Sequence, residues 1–144
     1  MLERSLILVK PDAVQRGYSG AILARLEQNG LKMVALRMLH MDKALAEKHY
    51  AVHVSKPFFP GLLKFITSAP IVAAVFEGED AVARIRQIMG PTDPAKAGPG
   101  TIRKDFGTNI EENAIHGSDS VETAAKEVAL FFGPNEIMTY TRTK

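Results

Sequence analysis

The chain has 144 residues, of which 46% are hydrophobic and 24% are charged, and its formal net charge is +2. This composition is typical of one globular domain, and the charge gives no reason to expect a protein whose main partner is nucleic acid or a membrane surface. The chain contains no cysteine, which excludes disulfide scaffolds, zinc–thiolate sites and cysteine nucleophiles and suits a reducing compartment.

Hydrophobic patterns and turn residues predict the elements of the first half of the chain. Leu6–Val9 is a short apolar run before a proline, the pattern of a buried strand that ends in a turn. An apolar repeat at helical spacing follows and predicts a helix. In residues 31–39 apolar and basic residues then nearly alternate, which predicts a second strand. Two successive helices are expected next. Asp42 is the candidate N-cap of the first, over Ala44–Ala51, and the second covers residues 58–66.

The second half begins with IVAAVF, residues 71–76, which is the clearest strand of the chain. Asp80 is expected to cap the next helix. Residues 90–112 hold many prolines and glycines with little periodicity and predict a long functional loop. The Ala114–His116 stretch is the best place for a fourth strand. A strongly periodic helix follows, and its predicted apolar face is Val121, Ala124, Ala125, Val128 and Phe132. Asp119, in the cap position of a capping box, or Ser120 is expected to begin it.

The order of these elements predicts the fold class and location. Strands alternate with helices, but two helices separate the second strand from the third, which favours a small α/β or α+β sandwich over residues 1–144 as a single domain. The longest purely apolar run is far too short for a membrane span, and the N-terminal one is too short for a signal peptide. We therefore expect a cytoplasmic protein without membrane partners.

Several common catalytic motifs are absent from the sequence. It has no P-loop, no GxGxxG after a strand, no HExxH and no GxSxG. His49 and His53 have the four-residue spacing of metal ligands on a helix, but no nearby carboxylate completes a set. We interpret them as solvated histidines at a helix end and expect no metal ligands among the protein side chains.

The long loop and its flanks concentrate groups that bind phosphate. Arg86 lies near the end of one helix, Thr92 opens the loop, and Arg103 lies inside it. Arginine binds phosphate with two parallel hydrogen bonds, and glycines let backbone amides approach an anion. Lys10 follows a buried strand, where side chains often project into a site. Each cation alone is better explained as a solvated surface residue, but together they indicate an anion site.

His116 lies between a short apolar stretch and a run of small polar residues. An imidazole with a reference pKa of about 6.5 is largely neutral at pH 7 and can attack phosphorus without a separate base. It then needs a group that fixes its tautomer, and Glu127, two turns into the next helix and off its apolar face, is a candidate. A structural histidine and an exposed glutamate remain open alternatives. The residues alone indicate a phosphate site with a candidate histidine nucleophile.

Four segments resemble the signature segments of the nucleoside diphosphate kinase family: KPDAVQRG (10–17), HYAVHVSKPFF (49–59), GTIRKDF (100–106) and NAIHGSDS (113–120). The similarity runs from about Arg4 to Phe132, in order and without large gaps. It implies an α+β sandwich with a ferredoxin-like βαββαβ core, a four-stranded antiparallel sheet and added helices. The short tail after Phe132 is similar to the bacterial form.

The resemblance also implies a reaction and a set of site residues. The γ-phosphate of a nucleoside triphosphate, typically ATP, would pass to a nucleoside diphosphate by a ping-pong mechanism, which maintains the pools of NTP and dNTP. His116 would carry the phosphoryl group as a pros-phosphohistidine. Glu127 and Ser118 would orient His116. Lys10, Tyr50 and Arg103 would surround the phosphoryl group, and Arg86 and Thr92 would hold the diphosphate. Asn113 with Lys10 would reach the sugar, and Phe58 and Leu62 would contact the base.

Mg²⁺ is the implied cofactor, held mainly by the phosphates of the nucleotide. Stacking on an aromatic ring accepts any base, so both purines and pyrimidines are expected as substrates. Family members are homo-oligomers, and the short tail leaves tetramer and hexamer open. A non-catalytic regulatory or nucleic-acid-binding member, and a histidine phosphotransferase that acts on proteins, are the competing hypotheses.

Overall fold

Four strands form one antiparallel sheet in the computed structural model, which describes residues 1–143. The strands lie in the order β2-β3-β1-β4, and every neighbouring pair is antiparallel. Their bounds are β1 Leu2–Val9, β2 Lys32–Leu39, β3 Ile71–Glu79 and β4 Ile115–Gly117. The long strands β1 and β3 are central, and the three-residue β4 forms one edge.

The helices cover both faces of this sheet. Their bounds are α1 Pro11–Gln15, α2 Ser19–Gln28, α3 Lys43–His49, α4 Phe59–Ile66, α5 Ala81–Met89, α6 Ile102–Phe106 and α7 Val121–Phe131. Short 3₁₀ turns are found at Ala51–His53, Pro94–Lys96 and Pro134–Glu136. No helix of residues 1–143 has the length and apolar character needed to cross a membrane.

Strand β1 contributes to a separate hydrophobic core on each face because successive side chains of a strand point to opposite sides. Ile7 and Val9 pack with apolar residues of α2 and α5, whereas Leu6 and Leu8 pack with those of α3, α4 and α7. All four side chains are fully buried. The predicted α+β sandwich with a ferredoxin-like core and four antiparallel strands is confirmed.

One predicted helix cap is confirmed, one is wrong, and at a third helix the structure selects one of two candidates. The Asp42 carboxylate accepts a hydrogen bond from the Leu45 amide at 2.8 Å, as expected for the start of α3. Asp80 has a left-handed backbone (φ 50°) and makes no side-chain cap. Glu3 of β1 instead accepts from an amide in the first turn of α5. At α7 the cap is Ser120, not Asp119, because the Ser120 hydroxyl accepts from the Thr123 amide at 3.0 Å.

Several elements differ from the predictions, and β1 and β3 are both longer than expected. Residues 90–112 are not irregular throughout, because they contain α6 and a 3₁₀ turn, each begun by a side-chain cap from Thr101 or Asp93. The helical turn α1 was not predicted. The fourth strand was predicted at Ala114–His116 and lies one residue further along the chain.

The buried face of α7 also differs from its predicted apolar face. Val121 is 49% exposed and Ala125 is exposed, although both were expected on the inner side. Glu127, which was expected off the apolar face, is buried with Val128 and Phe131. The helix therefore points a carboxylate into the protein, which requires polar partners for it.

Candidate active site

The backbone before β4 has a sharp turn that depends on a buried carboxylate. Ala114 has a left-handed conformation (φ 74°), which is unfavourable for a residue with a Cβ atom. Its amide donates to the Asp12 carboxylate at 3.1 Å, and its carbonyl accepts from the Lys10 amide at 2.8 Å. Asp12 is only 4% exposed. The turn thus ties the start of β4 to the end of β1, next to His116.

Gly117 lets β4 lie directly against α5. A Cβ atom at this position would come within 2.5 Å of the Met89 sulfur and 3.2 Å of an Ile85 methyl carbon. A larger residue would force these two buried side chains of α5 to move. The glycine of the NAIHGSDS segment therefore sets the distance between the strand that carries His116 and the helix that packs on it.

His116 forms a hydrogen-bonded chain with Glu127 and Ser118. The Nε2 atom of His116 lies 3.0 Å from Glu127 Oε1, and the Ser118 hydroxyl donates to the same oxygen at 2.7 Å. Burial would raise the pKa of Glu127, but the hydrogen bond and charge of His116, with the Ser118 hydroxyl, outweigh it and lower that pKa. Ionised Glu127 only accepts, so Nε2 carries a proton, and in the neutral form of the ring Nδ1 keeps a free lone pair.

Two arginines hold the outer edge of β4, on either side of His116. Arg103 donates to the Ile115 carbonyl at 2.8 Å and to the Gly90 carbonyl at 3.1 Å. Arg86 donates to the Gly117 carbonyl at 3.3 Å. Burial, and then the charge of Arg86, lowers the pKa of Arg103 to about 10, so the Arg103 guanidinium stays charged at pH 7.

A cavity of about 710 Å³ opens beside His116. Its walls come from the end of β1, the α3 region, residues of the long loop, β4 and α7. Eight of the predicted site residues line it: Lys10, Tyr50, Arg86, Thr92, Arg103, Asn113, His116 and Glu127. The structure therefore brings together residues that are more than 100 positions apart in the chain.

Lys10 and Asn113 contact each other at the side of this cavity. The Lys10 ammonium donates to the Asn113 side-chain oxygen at 2.8 Å, and the Asn113 amide donates to the carbonyls of Thr92 and Ile110. Burial, and then the charge of Arg103, lowers the pKa of Lys10 to about 8. Lys10 is thus a desolvated cation, and a phosphate placed beside it would gain a strong electrostatic interaction.

The remaining predicted residues have different positions. Ser118 is fully buried behind Glu127 and does not line the cavity. Phe58 is 55% exposed and contacts the cavity wall through His53, with 5.3 Å between ring centroids. Leu62 on α4 is half-buried and outside the cavity lining. Burial, and then the negative charge of Glu127, raises the pKa of Tyr50, so its phenol remains a hydrogen-bond donor.

The prediction that His49 is a solvated histidine is wrong. Its side chain is only 1% exposed, and its ring packs edge-on against those of His116 and Phe131, with centroids 4.8 and 5.5 Å away. Burial, and then the charge of His116, lowers the pKa of His49 to about 3, so the ring is neutral at pH 7. The only sequence signal for this position is its place next to Tyr50 in a signature segment.

A histidine with one oriented nitrogen, facing a cavity lined with cations, is suited to nucleophilic phosphoryl transfer. A family model described as nucleoside diphosphate kinase matches residues 3–137. The chain belongs to the nucleoside diphosphate kinase family. The match covers every predicted site residue, and membership makes the chain a phosphotransferase of that family.

Relatives and solved structures agree with this assignment. A nucleoside diphosphate kinase from Dehalococcoides mccartyi is 60% identical over 141 residues, which are 98% of this chain and 99% of the relative. One from Synechococcus elongatus is 56% identical and covers 99% of this chain and 95% of its own length. The structure of a Halobacterium salinarum nucleoside diphosphate kinase in complex with CDP is 49% identical, with a TM-score of 0.95 over 99% of this chain and 95% of that one.

Proposed function

We propose that His116 carries the phosphoryl group between two nucleotides in a two-step reaction. In the first step, Nδ1 of His116 attacks the γ-phosphorus of a nucleoside triphosphate, the bond to the β-phosphate oxygen breaks, and the diphosphate leaves. In the second step, the terminal oxygen of another nucleoside diphosphate attacks the phosphohistidine and the P–N bond breaks. The single observation that carries this proposal is the contact of Nε2 with Glu127, which leaves Nδ1 as the nucleophilic atom.

The charges of the cavity support this role because phosphoryl transfer needs positioning and neutralised charge more than covalent assistance. We assign Lys10, Tyr50 and Arg103 to the phosphoryl group in transfer. Arg86 and Thr92 bind the remaining diphosphate. All five line the same cavity as His116. The arginines already donate to carbonyls of β4 and its surroundings, so their heads are fixed before a nucleotide binds.

The sugar and the base are assigned to the outer part of the site. Asn113 and Lys10 reach the sugar hydroxyls, and their mutual hydrogen bond keeps both side chains at one wall. The base stacks on Phe58, whose ring is largely exposed, near Leu62. Stacking discriminates little between bases, so purine and pyrimidine nucleotides both serve, with ribose or deoxyribose. The CDP in the Halobacterium relative is consistent with a pyrimidine in such a site.

Mg²⁺ fits this cavity as a metal held mainly by the nucleotide. The cavity lining contains two carboxylates, of which Glu127 is engaged with His116 and Asp119 has no such contact. Mg²⁺ in phosphate sites is usually bound by one or two carboxylates, waters and the substrate phosphates. The cation would neutralise charge on the phosphates, while the protein residues position them. A homo-oligomer, either tetramer or hexamer, a single domain over residues 1–144 and a cytoplasmic location stay predictions.

The test is the covalent intermediate. Incubation with ATP labelled at its terminal phosphate, without an acceptor, should place one acid-labile label on each chain, and addition of a diphosphate should release it as triphosphate. His116→Ala should lose the label, whereas His40→Ala should keep it because His40 is on the surface with its ring against the Thr67 carbonyl. Labelling that survives His116→Ala would overturn the proposal.

A further inference from the structure

We propose that His49, His116 and Glu127 form a binding site for a zinc-type divalent metal ion, and that the bound ion stops phosphoryl transfer. The binding part depends only on the geometry of these three side chains. The inhibitory part rests on the proposed function of His116. The site is distinct from the Mg²⁺ that accompanies the nucleotide, because it uses ring nitrogens on the protein side of the cavity.

The three side chains already hold donor atoms at distances close to those of a zinc site. Each residue offers one donor atom, and the three atoms lie within 4.8 Å of one another. His49 Nδ1 is 3.8 Å from Glu127 Oε2, and His116 Nε2 is 3.0 Å from Glu127 Oε1. Tetrahedral zinc with bonds of about 2.0–2.1 Å places neighbouring donors roughly 3.3 Å apart. Small side-chain rotations are therefore enough to close the site around an ion.

His49 is the part of this cluster that the proposed reaction does not explain. Within residues 1–143, neither ring nitrogen has a hydrogen-bond partner, although both are buried and the side chain is 1% exposed. Buried polar atoms are normally paired, and an unpaired one is unfavourable. A metal ion on Nδ1 would supply a partner. The ring is already neutral at pH 7, which is the form that binds metal.

The donor set selects the kind of metal. Two imidazoles and one carboxylate are a zinc set, in which the fourth position is taken by water or substrate. The cavity beside His116 and Glu127 gives access for that fourth ligand. Mg²⁺ prefers oxygen ligands in octahedral geometry and so does not compete for two ring nitrogens. The site should therefore bind zinc in an excess of Mg²⁺.

Metal at this site would act on the tautomer of His116. In the free protein the proton is on Nε2, facing Glu127, and the lone pair is on Nδ1. An ion on Nε2 takes the lone pair of that nitrogen, so the proton of the neutral ring must be on Nδ1. Nδ1 then has no lone pair with which to attack phosphorus. Glu127 is at the same time withdrawn from its hydrogen bond to the ring.

Zinc binding is tested without nucleotide, by equilibrium dialysis of Zn²⁺ and by the absorption spectrum of Co²⁺ as a probe of tetrahedral coordination. The wild-type chain should bind one ion. His49→Ala and the larger His49→Gln should each weaken binding at least about tenfold. His40→Ala, on the surface, is the matched control and should bind as the wild type does. Equal zinc affinity in all variants that retain a folded circular dichroism spectrum would overturn the site.

Inhibition is tested separately, with each variant compared with its own zinc-free rate in excess Mg²⁺ and ATP. Zn²⁺ should slow phosphohistidine formation in the wild type and His40→Ala, and a chelator should restore the rate. Both His49 variants should need at least about tenfold more zinc for the same fractional inhibition. Zinc that binds through His49 but leaves the rate unchanged would refute the inhibitory step, whereas the role of His116 as nucleophile is decided separately by the labelling of His116→Ala. Labelling of His116 without any zinc binding would refute this inference alone.

Discussion

Glu127→Gln tests whether the charge of the carboxylate, rather than its shape, activates His116. Glu127 Oε1 accepts from both His116 and Ser118, and glutamine can keep both contacts with a neutral oxygen. Hydrogen bonds to charged groups contribute about 1.5–3 kcal/mol and neutral ones about 0.5–1.5 kcal/mol. The ring becomes more positive as Nδ1 attacks, so the charged acceptor stabilises the transition state more than the ground state. Replacing it with a neutral oxygen should therefore raise the activation free energy by about 1–2 kcal/mol. Phosphohistidine formation should slow about 5- to 30-fold.

The assay is single-turnover labelling of His116 by saturating ATP, with nucleotide affinity measured by calorimetry. Glu127→Ala removes both hydrogen bonds and leaves the Ser118 hydroxyl buried without this partner, so its loss should exceed about 100-fold. Glu122→Gln changes an exposed charge on the same helix and is the matched control. The reasoning is refuted if Glu127→Gln labels at the wild-type rate, or if it loses nucleotide affinity instead of rate.

Two further predictions concern charge and packing. The free protein should lose affinity for triphosphate as pH rises through about 8, because burial lowers the pKa of Lys10 to about 8 and the neutral amine attracts phosphate less. Calorimetry across this pH range should show this fall in affinity. If the same fall persists in Lys10→Met, this lysine is not its cause. Gly117→Ala should destabilise the fold by about 1–3 kcal/mol and slow labelling, because its Cβ would lie 2.5 Å from a methionine sulfur of α5. Gly20→Ala meets no atom within 4 Å and should be neutral or stabilising by denaturant unfolding, so equal effects of the two substitutions would contradict this account.

The sheet and most helices could be predicted because their signals are local. The apolar runs of β1 and β3 end at turn residues, and the cap of α3 is formed by the side chain at its first position. The cap of α5 could not be predicted this way. Its acceptor is Glu3, which is 79 residues away and reaches the helix only because β1 and β3 are paired.

The same distinction between local and long-range contacts applies to the candidate site. Five of the eight predicted residues that line the cavity lie in the signature segments, and the family match confirms the resemblance to which these segments belong. Composition and spacing alone reached only an anion site with a candidate histidine nucleophile. They assigned His49 to solvent because no carboxylate lies near it in the sequence, whereas its neighbours in space come from β4 and α7. For Glu127, spacing left two alternatives open, a partner of His116 and an exposed helix residue. In the structure the hydrogen bonds of His116 and Ser118 to its carboxylate offset the unfavourable free energy of burying that charge.

The two arginines that hold β4 have a consequence for how the sheet ends. An edge strand normally presents unpaired carbonyl groups, which can pair with a strand of another molecule and lead to aggregation. On β4 the carbonyls of Ile115 and Gly117 accept from Arg103 and Arg86 instead. The three-residue strand and these two charged groups leave little for an incoming strand to bind. The same side chains that are proposed to bind phosphate thus also protect this edge against association with a second sheet.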